Sequence, residues 1–140
     1  MDTDKVIEKL NAVLEQEHAC AIRYATHAAM ITGPYAEAVA ARLAEIATDE
    51  IEHAKKLRER ITVLGAQPSM QVSTADLKYA DTLDEILQIN IDEEKHAIAE
   101  YLNILKLVRE ENVILYRTLQ DIIQDEQQHL EELEMLVAAH

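Results

Sequence analysis

The sequence predicts an all-α fold, a four-helix bundle with one long crossover between its second and third helices. Three observations carry this. Gly and Pro occur only twice each in 140 residues, too rarely for the turns of a β-sandwich. The rest is rich in Ala, Leu, Ile, Glu, Gln and Lys, which favour helix. Apolar residues recur three and four apart through four long stretches, the period of a helix that buries one face. The length suits a single domain over residues 1–140, able to bury roughly two-thirds of the surface its unfolded chain exposes.

The first predicted helix runs from about Asp4 to Thr32, with Leu10, Leu14, Ala21, Tyr24, Ala28 and Ile31 on its stripe. Thr32-Gly33-Pro34-Tyr35 ends it, because Gly suits a helix C-terminus and Pro the first turn of the next helix. The second runs from about Pro34 to Leu64 through Leu43, Ile46, Leu57 and Ile61, and Gly65 stops it. Residues 65–81 carry Gly, Pro, Ser, Thr and Asp with no helical period. A connector of that length can run along the bundle and make the second and third helices parallel. The third helix begins near Thr82, an N-cap with Glu85 three residues on, and its stripe is Leu83, Leu87, Ile91, Ile98, Leu105 and Val108. Glu110-Glu111-Asn112 breaks the pattern. The fourth helix then runs to the C-terminus through Leu115, Leu119, Ile122, Leu133 and Leu136.

Charge and composition exclude several classes of function. A formal net charge of −14 argues against binding nucleic acid through its phosphates, and neither end carries a basic arm. No apolar run is long enough to cross a membrane, and Met1-Asp2-Thr3-Asp4 does not open a signal peptide. Cys20 is the only cysteine, so no disulfide framework is expected. The expectation is a cytoplasmic protein with no nucleic-acid or membrane partner. The acidity reads either as a solvated surface or as attraction of cations toward a metal site.

Each stripe has a gap filled by polar residues. The series 10, 14, 17, 21 places Glu17 on the core face of the first helix; 46, 50, 53, 57 places Glu50 and His53 on that of the second. In the same way 87, 91, 94, 98 places Glu94, and 122, 126, 129, 133 places Glu126 and His129. Isolated buried carboxylates are costly, and four that face one another repel. Two divalent cations would balance four carboxylates, with two neutral imidazoles completing the donor set. One Glu from each of two helices and Glu-x-x-His from each of the others is the two-metal arrangement of a bundle core.

A lone Glu-x-x-His carries little weight, since this composition gives roughly one by chance. Four occur: Glu15/His18, Glu50/His53, Glu93/His96 and Glu126/His129. Helical phase separates them, placing Glu15/His18 and Glu93/His96 on the surface. An internal repeat is the stronger signal. Glu17 is followed seven residues later by Tyr24, and Glu94 by Tyr101; Asp49-Glu50-x-x-His53-x-x-x-Leu57 returns as Asp125-Glu126-x-x-His129-x-x-x-Leu133. The repeat also selects Glu94 over Glu93. Asp49 and Asp125 read either as outer partners of the imidazoles or as ordinary surface charges. Tyr24 and Tyr101 read either as hydrogen-bonding or electron-supplying neighbours of the site, or as core residues with a polar tip.

On these residues the chain resembles the ferritin-like superfamily, and within it bacterioferritin, from about Val6 to Leu136. The family's di-iron ligand order of Glu, Glu-x-x-His, Glu, Glu-x-x-His matches Glu17, Glu50 with His53, Glu94, and Glu126 with His129; its tyrosine seven residues after the first Glu is present as Tyr24. The resemblance implies a ferroxidase centre holding two iron ions per chain, oxidising Fe(II) with O2 or peroxide for iron storage or detoxification, with Tyr24 as the catalytic side chain. It also implies a homo-oligomer, a dimer or a larger assembly. Two departures qualify this. Ile51 stands where the family carries its haem-ligating Met, so no haem is expected, and the chain stops 11 residues after His129, short of the fifth helix that helps close the family's cage. Oxygen and nitrogen donors suit manganese as well as iron. The competing functions are a rubrerythrin-like peroxidase, a di-manganese catalase or an oxygenase on the same site, and a passive metal-binding protein.

Overall fold

In the computed structural model, which describes residues 1–108 and 111–139, four helices form the bundle: α1 (Thr3–Met30), α2 (Ala36–Val63), α3 (Leu83–Val108) and α4 (Val113–Ala139). Local chemistry sets their ends. Asp2 caps α1 by accepting from the Lys5 amide at 3.2 Å. At the end of α2, Gly65 takes a left-handed φ of 88°, and the Ala66 amide reaches back to the Ile61 carbonyl, a closure that few side-chain-bearing residues allow. Thr82 caps α3 through the Glu85 amide, as its spacing predicts, while the Glu85 carboxylate bonds the Asp81 amide rather than that of Thr82 itself. Asn112 caps α4. The predicted break includes Glu110, which lies outside the described residues. Pro34 belongs to the turn before α2, not to its first helical turn.

The connector decides the topology. Its residues meet α1 in rising order: Ser69 on Asn11 and Glu15, Gln71 on His18, Asp76 on Arg23, Lys78 on His27. It therefore runs parallel to α1 for about 24 Å, at 1.5 Å per helical residue. Its one regular piece is a 3-10 turn at Thr74–Asp76. Since α1 and α2 are antiparallel, α3 starts beside the end of α1, and α2 and α3 run parallel.

Two apolar clusters fill the core. One is built on Leu10, Leu14, Leu57, Ile61, Ile104 and Leu119, the other on Leu43, Ile46, Leu87 and Leu133. Leu119 is fully buried, so truncating it to Ala removes about 2–5 kcal/mol. Ala21 and Ala28, assigned to the stripe of α1, are only half-buried; Val13, Cys20 and His27 lie deeper. A layer of Glu and His separates the two clusters. Among the described residues no helix is long and apolar enough to cross a membrane.

Candidate metal centre

Each helix delivers its polar side chains at the level where its apolar stripe is interrupted. Glu17, Glu50, His53, Glu94, Glu126 and His129 are all at most 2% exposed. They converge as two overlapping groups, Glu17, Glu50, His53 and Glu126, and Glu50, Glu94, Glu126 and His129, with one donor atom per residue lying within 4.8 Å of the others in its group. Nδ1 of His53 is 2.9 Å from Glu126 Oε1 and 3.4 Å from Glu17 Oε2. Nδ1 of His129 is 3.4 Å from Glu50 Oε1 and 3.5 Å from Glu94 Oε1. The six residues read from the sequence stand together.

The layer is braced crosswise between the two hairpins. The Tyr24 hydroxyl on α1 donates to Glu94 on α3 at 2.6 Å, and Tyr101 on α3 donates to Glu17 on α1 at 2.9 Å. His53 Nε2 meets Asp125 at 2.8 Å, and His129 Nε2 meets Asp49 at 2.9 Å. Each Asp thus serves the imidazole of the other hairpin. A carboxylate on Nε2 fixes the proton there and leaves the Nδ1 lone pair facing the layer.

Eight atoms of this layer have no hydrogen-bond partner among the described residues: Glu17 Oε2, both oxygens of Glu50 and of Glu126, Glu94 Oε2, and Nδ1 of His53 and of His129. Native cores rarely leave such atoms unpaired, because each carries a desolvation cost. Burial pushes the Glu50 and Glu126 carboxyls well above the usual carboxylate range, and the neighbouring carboxylates push the same way. Burial opposes a charge on His53, yet Glu17, Glu50 and Asp125 raise it to about 10. His129 is raised likewise, by Glu94 and Asp49 against burial. Burial also raises Glu94, but the contacts of His129, Glu126 and Tyr24 outweigh it and hold that carboxyl low. Without a cation the layer keeps protons to relieve repulsion. Six converging oxygen and nitrogen donors with unspent lone pairs fit a dinuclear metal site.

A second buried polar cluster escaped the sequence reading. Arg23 Nε donates to Asn90 Oδ1 at 2.9 Å, Arg23 Nη1 to the Asp76 carbonyl, and Asn90 Nδ2 to the Ile86 carbonyl and to His27 Nδ1. His27 Nε2 donates to the Lys78 carbonyl. Burial holds His27 below its ordinary value, as a neutral ring that accepts at one nitrogen and donates at the other requires. Glu93, expected on the surface, is buried here, 2.5 Å from Lys78 Nζ and 3.9 Å from Arg23. Its phase puts it at the edge of the core, and the connector closes over it. His96 is exposed as expected, whereas Glu15 and His18 are half-buried under the connector. The available signal was His27 and Asn90, which stand seven residues after Cys20 and Leu83 on rows that otherwise face inward.

Comparison with known proteins agrees with this arrangement. The ferritin family, described as a ferritin-like domain, matches residues 7–139. A bacterioferritin of Desulfovibrio desulfuricans is 33% identical over 128 residues, covering 90% of this chain and 70% of that protein. A crystal structure of ferritin-like, diiron-carboxylate proteins from Bacillus anthracis superposes with a TM-score of 0.91 at 31% identity over 97% of both chains. The X-ray structure of the D. desulfuricans bacterioferritin, determined for its diiron site in different catalytic states, gives 0.82 at 31% identity over 96% of this chain and 78% of that one. A family model matched over residues 7–139 and a bacterioferritin 33% identical over 90% of this chain show the family: the chain belongs to the ferritin-like family.

Proposed function

We propose that the chain is a ferroxidase-type protein that takes Fe(II) as substrate, two ions per chain, and oxidises it with O2 or peroxide in iron storage or detoxification. The observation that supports this best is the set of eight atoms without a hydrogen-bond partner among the described residues, in a chain similar to ferritin-like diiron-carboxylate proteins and to a bacterioferritin with a diiron site. Glu17 with His53 would hold one ion, Glu94 with His129 the other, and Glu50 and Glu126 would lie between both. Two bound irons together supply two electrons, which avoids one-electron reduction of oxygen. With peroxide, two Fe(II) become two Fe(III), and peroxide takes both electrons and two protons to give two waters.

The chain's own part is to bind, orient and exclude water. Tyr24 and Tyr101 fix the rotamers of Glu94 and Glu17, and Asp125 and Asp49 fix the imidazole tautomers. Tyr24 is also the oxidisable side chain nearest to Glu94 and the proposed catalytic neighbour. The two apolar clusters above and below the layer keep bulk water out. A homo-oligomer belongs to the same reading, as does the lack of haem, with Ile51 exposed where a haem-ligating Met would stand.

The test adds Fe(II) anaerobically to metal-free protein, then oxidant, and follows ferric absorbance against iron equivalents. Rapid oxidation with a break near two irons per chain is expected. Tight binding without oxidation would replace this reading by manganese chemistry, an organic substrate or passive storage.

A further inference from the structure

The internal repeat makes the two halves of the centre equivalent in their ligands. Each half has one terminal Glu, one His, a crosswise tyrosine and a crosswise aspartate, and both share Glu50 and Glu126. A difference in affinity between them must come from what lies behind the ligands. There the repeat fails. With the spacing that relates Glu17 to Glu94 and Tyr24 to Tyr101, Arg23 corresponds to Glu100, Asn90 to Val13, and His27 to Ile104.

Arg23 is buried, and its guanidinium carbon lies 5.5 Å from the centroid of the Tyr24 ring. That ring's hydroxyl donates to Glu94 at 2.6 Å, against 2.9 Å for Tyr101 on Glu17. A cation against the ring makes the phenol a stronger donor and so draws electron density from the carboxylate it bonds. Lys78 adds a second positive charge, and Glu93 is the carboxylate that Arg23 and Lys78 share; Asp76 offers Arg23 only its carbonyl and turns its carboxylate to Ser73. These four charges sum to zero, but the guanidinium is the one that lies against the ring bonded to Glu94, and it is buried and poorly screened, whereas Asp76 is half-buried and Lys78 exposed. At the corresponding positions on the Glu17 side the repeat has the apolar, buried Val13 and Ile104 and the partly exposed Glu100, whose carboxylate is 3.8 Å from His96. Arg58 on that side is exposed and bonded to His18, where solvent screens it.

We propose that Arg23 makes the two halves unequal, so that the Glu17–His53 half takes a divalent cation before the Glu94–His129 half. The inference rests on the dinuclear reading above, and Arg23 acts in it as a positioning residue through Tyr24 and Glu94.

Co(II), followed by its visible absorbance and by calorimetry, tests this on the whole chain. The unaltered protein should bind in two steps separated by about tenfold or more in affinity. His129→Ala should keep the tight step and His53→Ala should lose it. Arg23→Gln should tighten the weaker step and narrow the gap. Because that change empties a buried network, Glu100→Arg at the partly exposed counterpart supplies an independent arm, and it should weaken the tight step. Two steps of equal affinity, a tight step that depends on His129, or a ratio unchanged by both charge variants would overturn the assignment while leaving the dinuclear reading intact. No Co(II) binding would overturn both.

Discussion

Two polar clusters lie in the core of this bundle within one turn of α3, with Glu94 in one and Asn90 and Glu93 in the other. The Arg23 cluster closes on itself: Arg23, Asn90 and His27 find partners in one another, in the connector and in the Ile86 carbonyl. The Glu/His layer does not close: among the described residues eight of its atoms approach one another without forming a hydrogen bond. Both are buried and both cost desolvation, so burial alone does not identify a binding site. What separates them is whether the hydrogen-bond inventory balances without an outside partner. The first cluster fastens the connector to the bundle, and the second, whose carboxylates meet two imidazoles of the chain, fits a dinuclear metal site.

That contrast can be broken by mutation, most severely at the shared carboxylates. Glu50→Ala and Glu126→Ala should each abolish most metal binding in equilibrium dialysis. Glu93→Ala should leave the metal stoichiometry unchanged, although it removes a buried carboxylate beside Arg23 and Lys78. Equal loss of metal in all three would erase the distinction between the clusters.

Acidity and alkalinity should act oppositely on the metal-free and loaded protein. Glu50 and Glu126 lie above their ordinary 4.5, and His53 and His129 above 6.5, His53 reaching about 10. Groups raised in the folded state hold protons that the unfolded chain releases. Their stabilisation is complete below the ordinary values and is lost as pH rises, for His53 through about 10. Glu94, held low, works the other way, contributing above 4.5 and losing that contribution as pH falls. The raised groups outnumber it, so melting temperature of metal-free protein should fall from mildly acidic to alkaline pH. Metal affinity should rise over the same interval, because the ligands must shed protons to bind. A metal-free protein that gains stability toward pH 9 would contradict the proton accounting.

Smaller changes sharpen the comparison. Asp125→Ala, which frees Nε2 of His53, should weaken metal binding about 10–100-fold without unfolding the chain, as measured by calorimetry. Asn90→Ala should do the reverse: about 1–3 kcal/mol lost in chemical denaturation from unpaired Arg23 and His27 groups, with two metals still bound. Tyr101→Phe removes one neighbour of Glu17 and should cost about 1 kcal/mol in the same denaturation experiment.

The same contrast explains what was legible beforehand. A helical stripe reports which residues face inward, so Glu17, Glu50, His53, Glu94, Glu126 and His129 could all be read from phase, and the repeat chose Glu94 over its neighbour. Phase says nothing about a segment without period. The connector over α1 therefore hid the burial of Glu93 and the roles of Arg23, His27 and Asn90. Pairing across the bundle was equally out of reach. Asp49 and Asp125 each precede their own Glu-x-x-His, yet each bonds the imidazole of the other hairpin, a choice set by how α2 and α4 face one another. Helix ends moved by a residue or two because caps and turns, not the stripe, decide them.

Two metal ions should complete the open Glu/His layer. The most direct measurement is metal content per chain after equilibrium dialysis against Fe(II) under anaerobic conditions, for the unaltered protein and for Glu126→Ala. Two equivalents retained by the first and little by the second is the predicted result. No retained metal, or retention indifferent to Glu126, would mean that the Glu/His layer is a structural feature of the core and that its unpaired atoms have another explanation.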